Sequence, residues 1–405
     1  MPKCFDVAVI GGGAAGLVAA ISAARRGDSV VICERMPRLG KKILVTGGGR
    51  CNLTNEDLSP AAFTSTSPGL VISVFERFGK EDIRRFFKGL GLETYSEGSR
   101  VFPVTNQASS VLKVLEMEIG RLGVSVELGF EVTRIGHSGT SFSVEGGGGR
   151  RLEARSVILA GGGRSYPALG SNGSAYALAG RFGHRLVTPV PSAVPVLAKD
   201  RMCHYLQGQK VRAAAVALVG GKPAGQAEGE VLFTQYGLSG TVVLDVSESL
   251  SIAIHREGRP DTALVLDLVP FLSEEALTSE FRRRAKAGWP AGDLAAGILP
   301  DKFAPVMSAM ADGSGRGPGA TAGLLAASLK AKRFAVLGTR GWNEAEFTSG
   351  GVDAREIDPR TLESKFQPGL FLAGEMLDVQ GRRGGYNLAW AWASGYVSGL
   401  TRRQE

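Results

Sequence analysis

Cysteine is scarce in this 405-residue sequence: Cys4, Cys33, Cys51 and Cys203 are all there is, and no two stand in a CxxC or CxxxxC spacing. That argues against the redox-active cysteine pair of a disulfide reductase and against a zinc site, and no metal is expected. No apolar run approaches the length of a membrane span, and the first strand begins within five residues of the start, leaving no room for a signal peptide. The cytoplasm is the expected compartment, with no membrane partner. Aromatic residues make up 7% of the chain and basic residues are scattered, with short groups only at Arg282–Arg284, Lys330–Arg333 and Arg382–Arg383. The net charge of +8 is therefore read as a solvated face with attraction for anionic cofactors, not as a nucleic-acid footprint.

What the sequence has in quantity is glycine, 57 residues, clustered at turns. The most organised cluster comes first. An apolar strand, Phe5 to Ile10, runs into Gly11, Gly13 and Gly16, then a small-residue helix, a second apolar strand at Ser29 to Cys33, and an acid, Glu34. In such a βαβ unit the first glycine makes the tight turn, the second lets the main chain approach a pyrophosphate, and the third lets helix and strand pack closely. The helix points its free N–H groups at the phosphates. Glu34 stands where a carboxylate accepts hydrogen bonds from both hydroxyls of an adenosine ribose, which disfavours a 2′-phosphate there. This unit alone does not separate FAD from NAD.

A second glycine-rich loop follows at Leu39 to Asn52, with Lys41 and Lys42 able to neutralise a diphosphate and Gly47, Gly48 and Gly49 able to approach a long extended cofactor. Residues 70 to 123 read as helical, broken by a strand-turn stretch, Ser96 to Asn106, that carries Arg100. An antiparallel excursion from Val124 leads to a buried strand ending at Ala160, Gly161, Gly162 and Gly163. Residues 189 to 270 show short alternating strands, residues 273 to 338 turn helical around a Gly-rich loop at Asp312 to Ala320, and neither stretch carries a nucleotide fingerprint of its own. The strand Leu370 to Ala373 ends at Gly374 and Glu375; Gly384, Gly385, Tyr386 and Asn387 then open an apolar helix. A helix start of this kind can stabilise negative charge on a reduced flavin, or can simply close the sheet.

Three stretches together, GGGAAG with LGKKILVTGGGRCN, GGRSYPALGSNG, and GLFLAGEMLDVQGRRGGYNLAWAWASG, resemble the BaiN/YhiN-like family of FAD-dependent flavoproteins, some of whose members are labelled aminoacetone oxidase-like. The resemblance covers nearly the whole chain. It implies an α/β fold: a two-dinucleotide-binding, Rossmann-like FAD domain with an inserted β-barrel plus helical cap. The expected division is an FAD-binding first part at 1–187, a barrel-like insert at 188–272, a helical insert at 273–340, and a C-terminal FAD-binding part at 341–405. Carried over by motif, the pyrophosphate lies at Gly11, Gly13, Ala14, Ala15 and Gly16, the adenosine ribose at Glu34, and adenine near the backbone of Val132. The flavin end falls near Thr46, Gly47, Cys51 and Asn52, and near Glu375, Asp378, Gly385, Tyr386 and Asn387, with Ala160, Gly161 and Gly162 passing beside the cofactor and Arg35, Lys42, Gly48, Arg50, Gly374 and Leu388 as further cofactor-binding residues. Arg382 and Arg383 stand where the family commonly has a neutral residue and a threonine, Ala389 where glutamine is frequent, and Ser174 where an acid is common. These departures bear on substrate identity.

No second GxGxxG unit is present, so NAD(P)H is expected to dock transiently as electron donor. The leading expectation is hydride transfer through the flavin to a small organic electrophile such as an activated C=C bond, with Tyr386, Tyr166, Arg100 and Cys51 as candidates for proton donor, oxyanion partner or space-filler. The alternatives are an amine or amino-ketone oxidase using oxygen, a flavin-bearing nucleic-acid-modifying protein, and a non-catalytic FAD-binding protein.

Overall fold

In a computed structural model that describes residues 4–312 and 318–400, the first apolar run forms the strand Cys4–Ile10, followed by the helix Ala14–Arg25 and the strand Val30–Glu34. These open a parallel sheet whose order is Ser125–Leu128, Val30–Glu34, Cys4–Ile10, Arg151–Leu159, Leu370–Leu372. All five residues of Val30–Glu34 are buried, as expected where both faces of a parallel strand are covered. The strand Arg151–Leu159 serves two partners on one edge. Its first half pairs antiparallel with Ser141–Gly146 of a hairpin, its second half parallel with Leu370–Leu372, so the last part of the chain completes the sheet begun by the first.

Small residues set the distance between layers. The first helix buries Ala15 through Ala23, and the C-terminal helix Tyr386–Leu400 lies directly on it. A Cβ at Gly395 would stand 2.3 Å from the Ala15 carbonyl oxygen and one at Gly399 2.4 Å from that of Ala19. Trp390 and Trp392, both fully buried, bring their indole N–H groups to the carbonyls of Gly374 and Leu53. The helix is thus tied both to the strand end at Gly374 and to the loop after the second glycine cluster.

The chain divides into two units, Met1–Pro189 with Phe347–Glu405, and Val190–Glu346. The second unit departs from the division into a barrel-like piece and a helical piece. Its strands form one antiparallel sheet, and the strand Lys332–Ala335, which lies after the helical stretch, pairs with Thr262–Asp267, which lies before it. The helices Glu274–Lys286 and Pro318–Lys330 are therefore a connection between adjacent strands. Strand and helix residues share one core that includes Phe233, Leu264, Phe281, Leu325 and Phe334. The physical reason is edge pairing: Thr262–Asp267 needs a partner along its open side, and the chain returns to supply one. Most of the Gly-rich loop expected at Asp312 to Ala320 falls outside the described residues.

A buried carboxylate joins the first helix to the helix Ala108–Arg121. Glu118 receives Arg25 at 2.8 Å and Arg121 at 2.6 Å, and these partners hold its carboxyl at about 2, below the ordinary 4.5. A carboxyl lowered on folding stabilises above its unfolded value, and that contribution is lost as pH falls from about 4.5 through about 2. Because both arginines are partly exposed, Glu118→Gln is expected to cost about 1–2 kcal/mol at pH 7, measured by urea unfolding. The difference from the parent protein should vanish near pH 2.

Candidate functional site: two glycine-lined loops at the strand ends

The carboxyl ends of Cys4–Ile10 and Arg151–Leu159 lie side by side, at the point where the strand order reverses and where open α/β sheets place their ligands. Gly11 turns the chain there with φ +108°; a Cβ on it would stand 2.5 Å from the Ala160 oxygen. One on Gly16 would meet the Gly11 oxygen at 1.8 Å. Gly13, by contrast, has nothing within 4 Å. Two glycines are thus closed by the protein itself, and the one between them faces open space at the start of a 12-residue helix. That is the cradle a pyrophosphate requires.

Glu34, 8% exposed, is oriented before any ligand arrives. Its Oε2 accepts the Gly12 N–H and its Oε1 the Met36 N–H, each at 2.7 Å. An ionised carboxylate has about four acceptor positions, so two remain for a ribose diol. Ala15 packs under this turn, where Gly374 would clash with its Cβ at 2.7 Å if it bore a side chain. Ala160, Gly161 and Gly162 follow the neighbouring strand; Gly161 closes on Ala175 and Gly162 on Ser171. Val132 is buried at the start of the hairpin strand Val132–Ser138. Ala14 opens the first helix.

The second cluster is built from chain segments more than 300 residues apart. Thr46 donates its hydroxyl to the Ile43 carbonyl, and Gly47, Gly48 and Gly49 all take left-handed angles before Cys51 does the same at φ 59°. A Cβ at Gly385 would lie 2.5 Å from the Thr54 oxygen and 2.8 Å from Asn52 Oδ1, so the two loops touch through a missing side chain. Asn52 Oδ1 and Thr54 Oγ1 are buried with no hydrogen-bond partner. Asn387 clamps its own loop, accepting the Gly381 N–H at 2.9 Å and donating to the Gly381 carbonyl at 2.8 Å. The first hydrogen bond of the helix runs from Ala389 N–H to Gly385, so the N–H groups of Tyr386, Asn387 and Leu388 precede the intrahelical ladder.

The charged candidates are placed less uniformly. Lys42 meets Glu375 at 2.7 Å and the Ser165 hydroxyl at 2.5 Å. Glu375 also accepts the Thr348 N–H at 2.8 Å. Burial opposes its ionisation, yet Lys42 and these donors hold its carboxyl below the ordinary value. Arg35 reaches Glu131 at 3.6 Å, while Arg50 lies 4.0 Å over the Phe102 ring and bonds Tyr95 and Glu97. Asp378 is buried and accepts the Thr66 N–H.

Of the four catalytic candidates, Cys51 is fully buried and its thiol is pushed up to about 12 by burial, so it stays protonated and fills space. Tyr386 packs edge-on to Phe63 at 5.7 Å, and burial raises its hydroxyl above the ordinary value. Arg100 is exposed, with its Nε 3.9 Å from the place a Gly384 Cβ would occupy. Tyr166 occupies a left-handed turn, one residue past Ser165. Sequence reasoning missed Thr348, whose hydroxyl oxygen accepts the N–H groups of Arg164 and Ser165, and Ser394, which accepts the Gly374 N–H. Thr348 lies outside the three motif stretches and acts on residues 183 and 184 positions away, while Ser394 lies within the last of them, 20 positions from its partner.

The residues fit an extended dinucleotide: an open glycine cradle at a helix start, a pre-oriented carboxylate, and two buried oxygen atoms awaiting partners at the other loop. No group of residues that could hold a metal ion occurs among the described residues. Nor is any described helix long and apolar enough to cross a membrane.

The profile of the HI0933-like protein Rossmann domain family matches residues 5–401. The chain is 37% identical over 403 residues to the 3-dehydro-bile acid delta(4,6)-reductase of Clostridium scindens, covering 97% of this chain and 98% of that one. It is 29% identical over 421 residues to the ribosomal RNA dihydrouridine synthase of Haemophilus influenzae, covering 99% of each. Among solved structures, a 3-ketosteroid-delta4-(5alpha)-dehydrogenase from Rhodococcus jostii RHA1 matches with a TM-score of 0.50 at 16% identity, over 100% of this chain and 97% of that one. That likeness is one of fold.

The contrast between the glycines gives a direct test. Gly16→Ala, which forces a Cβ against the Gly11 carbonyl, is expected to destabilise the protein by about 2–4 kcal/mol in denaturant unfolding. Gly13→Ala should leave the unfolding midpoint within experimental error of the parent while lowering the amount of dinucleotide that co-purifies.

Proposed function

The chain belongs to the HI0933-like Rossmann family, and from that premise we propose that it is an FAD-dependent oxidoreductase that takes hydride from NADH or NADPH and delivers it to a C=C bond conjugated to a carbonyl. The observation that carries this reading is the full-length similarity to the bile-acid delta(4,6)-reductase. The second relative agrees in chemistry, since a dihydrouridine is a uridine whose C5=C6 bond, conjugated to a carbonyl, has been saturated. Substrates of very different size thus share one reacting group.

When bound, FAD supplies the two-electron relay between pyridine nucleotide and substrate. The chain's own residues then have separable tasks. Gly13 and the first helix hold the pyrophosphate, and Glu34 holds the adenosine ribose. Asn52 Oδ1, buried without a protein partner, would be free to accept a hydrogen bond from the bound cofactor. The start of the helix at Tyr386 favours negative charge at that end. Tyr386, whose hydroxyl burial raises above its ordinary value, donates toward the carbonyl oxygen of the substrate as negative charge develops there.

A second reading keeps the chemistry and changes the substrate to RNA. It is favoured by the dihydrouridine synthase relatives and the +8 charge. Steeply salt-dependent binding of ribosomal RNA would support it, and no binding at low salt would remove it.

The test is anaerobic stopped-flow mixing of the yellow protein with NADH or NADPH. Fast loss of the flavin band, followed by its return on adding an enone, is the expected result; no loss with either donor would overturn the reductase reading. Asn52→Leu should slow the loss about ten- to a hundred-fold, the scale of one buried hydrogen bond left unmade. Tyr386→Phe should leave that phase in place and slow the return.

A further inference from the structure

We propose that Arg100 and Arg382 form an anion-recognition subsite beside Gly384, which binds a carboxylate or phosphate of the molecule that exchanges hydride at this edge. The inference deepens the function proposed above and rests on it for the location of the reacting edge.

The two arginines come from distant parts of the chain: Arg100 brings its side chain to Gly384, and Arg382 lies two residues before that glycine. Gly384 has φ +125°, an angle that L side chains rarely adopt. The space its side chain would fill is bounded by Tyr386 Cε2 at 3.6 Å, Asn55 Nδ2 at 3.4 Å and Arg100 Nε at 3.9 Å. Asn55 holds the loop there by donating to the Gly384 carbonyl at 2.9 Å. Arg382 stands two residues earlier, anchored through its N–H to Ala62, and its charge acts on the Tyr386 hydroxyl. Both arginines are exposed, and among the described residues neither guanidinium is held by a hydrogen bond or ion pair.

Among the described residues no carboxylate forms an ion pair with either arginine. Glu97 acts on Arg100 at longer range but is occupied by Arg50 at 2.7 Å. Asp57 acts on Tyr386 and accepts the Ser59 N–H at 2.8 Å. Positive charge next to a helix start is opposed by the helix dipole, so each guanidinium group is better placed there once an anion binds. Guanidinium forks suit carboxylate and phosphate oxygens. An anion bound there sits beside Tyr386, one residue from Gly385 and the unpartnered Asn52 oxygen. The subsite would therefore orient a ligand at the reacting edge instead of merely attracting it.

The anion can belong to the substrate or to the pyridine nucleotide, and the experiment separates the two. The oxidised holoprotein, with no electron donor present, is titrated by flavin difference absorbance with 4-oxo-2-pentenoate against its methyl ester, and with NADP+ against NAD+. The parent protein, Arg100→Gln, Arg382→Gln and the double variant are compared, and their yellow absorbance reports retained fold and flavin. A tenfold or greater weakening of the carboxylate probe, with the ester changed less than twofold, assigns the anion to the substrate. The same selective loss for NADP+ over NAD+ assigns it to the donor. Arg382→Lys should recover part of either loss. Equal binding of both charged probes across all four proteins, or no preference of the parent protein for the charged member of either pair, overturns the proposal. Because nothing turns over, a failure of NAD(P)H to reduce the flavin would sink the reductase reading without deciding this one.

Discussion

The backbone of the first helix is approached from three sides at distances that only hydrogen-bearing α-carbons permit. Gly16 rests on the Gly11 carbonyl, Gly395 on the carbonyl of Ala15, and Gly374 on the Ala15 methyl. These contacts fix the turn before the helix, the helix behind it, and the strand end beside it. The pyrophosphate cradle at Gly13 is what remains open once the three are closed. A larger residue at any of them would force apart layers that pack against one another at that contact.

The second loop pair depends on the first arrangement. Trp390 and Trp392 hang from the C-terminal helix and bond to Gly374 and Leu53, so the position of that helix sets the position of both loops. Within them most polar groups are spent on the protein: Asn387 on Gly381, Thr46 on Ile43, Asp378 on Thr66. Against that background the empty valences of Asn52 and Thr54 stand out. A buried acceptor without a donor costs free energy, and its retention in an otherwise satisfied loop is most simply explained by a ligand that completes it.

What could be read in the sequence was local. The βαβ unit, the strand ending at Ala160 and the helix start at Tyr386 each follow from periodicity and glycine placement within about thirty residues, and each forms as expected. What could not be read was long-range. Nothing near Lys42 indicates that its partner is Glu375, 333 positions away, or that Thr348 caps the turn at Arg164 and Ser165. In the second unit, alternation in Thr262–Asp267 predicts a strand but not its neighbour, which arrives only after the helical stretch as Lys332–Ala335. A sequence scan sees strands followed by helices and splits them; pairing across the gap unites them.

The pairing of Lys42 also changes how charge is distributed along the cleft. As a free cation it would have joined the first helix in attracting phosphate; bound to Glu375 and Ser165 it becomes half of a neutral pair beside the strand end. At the first loop the backbone N–H groups of the helix start supply a fixed positive field that needs no side chain to reorganise. At the other end the mobile positive charge is carried by Arg100 and Arg382, outside the glycine-lined floor. The two loops thus differ in kind: one offers a fixed backbone field, the other side-chain charge that no ion pair holds among the described residues.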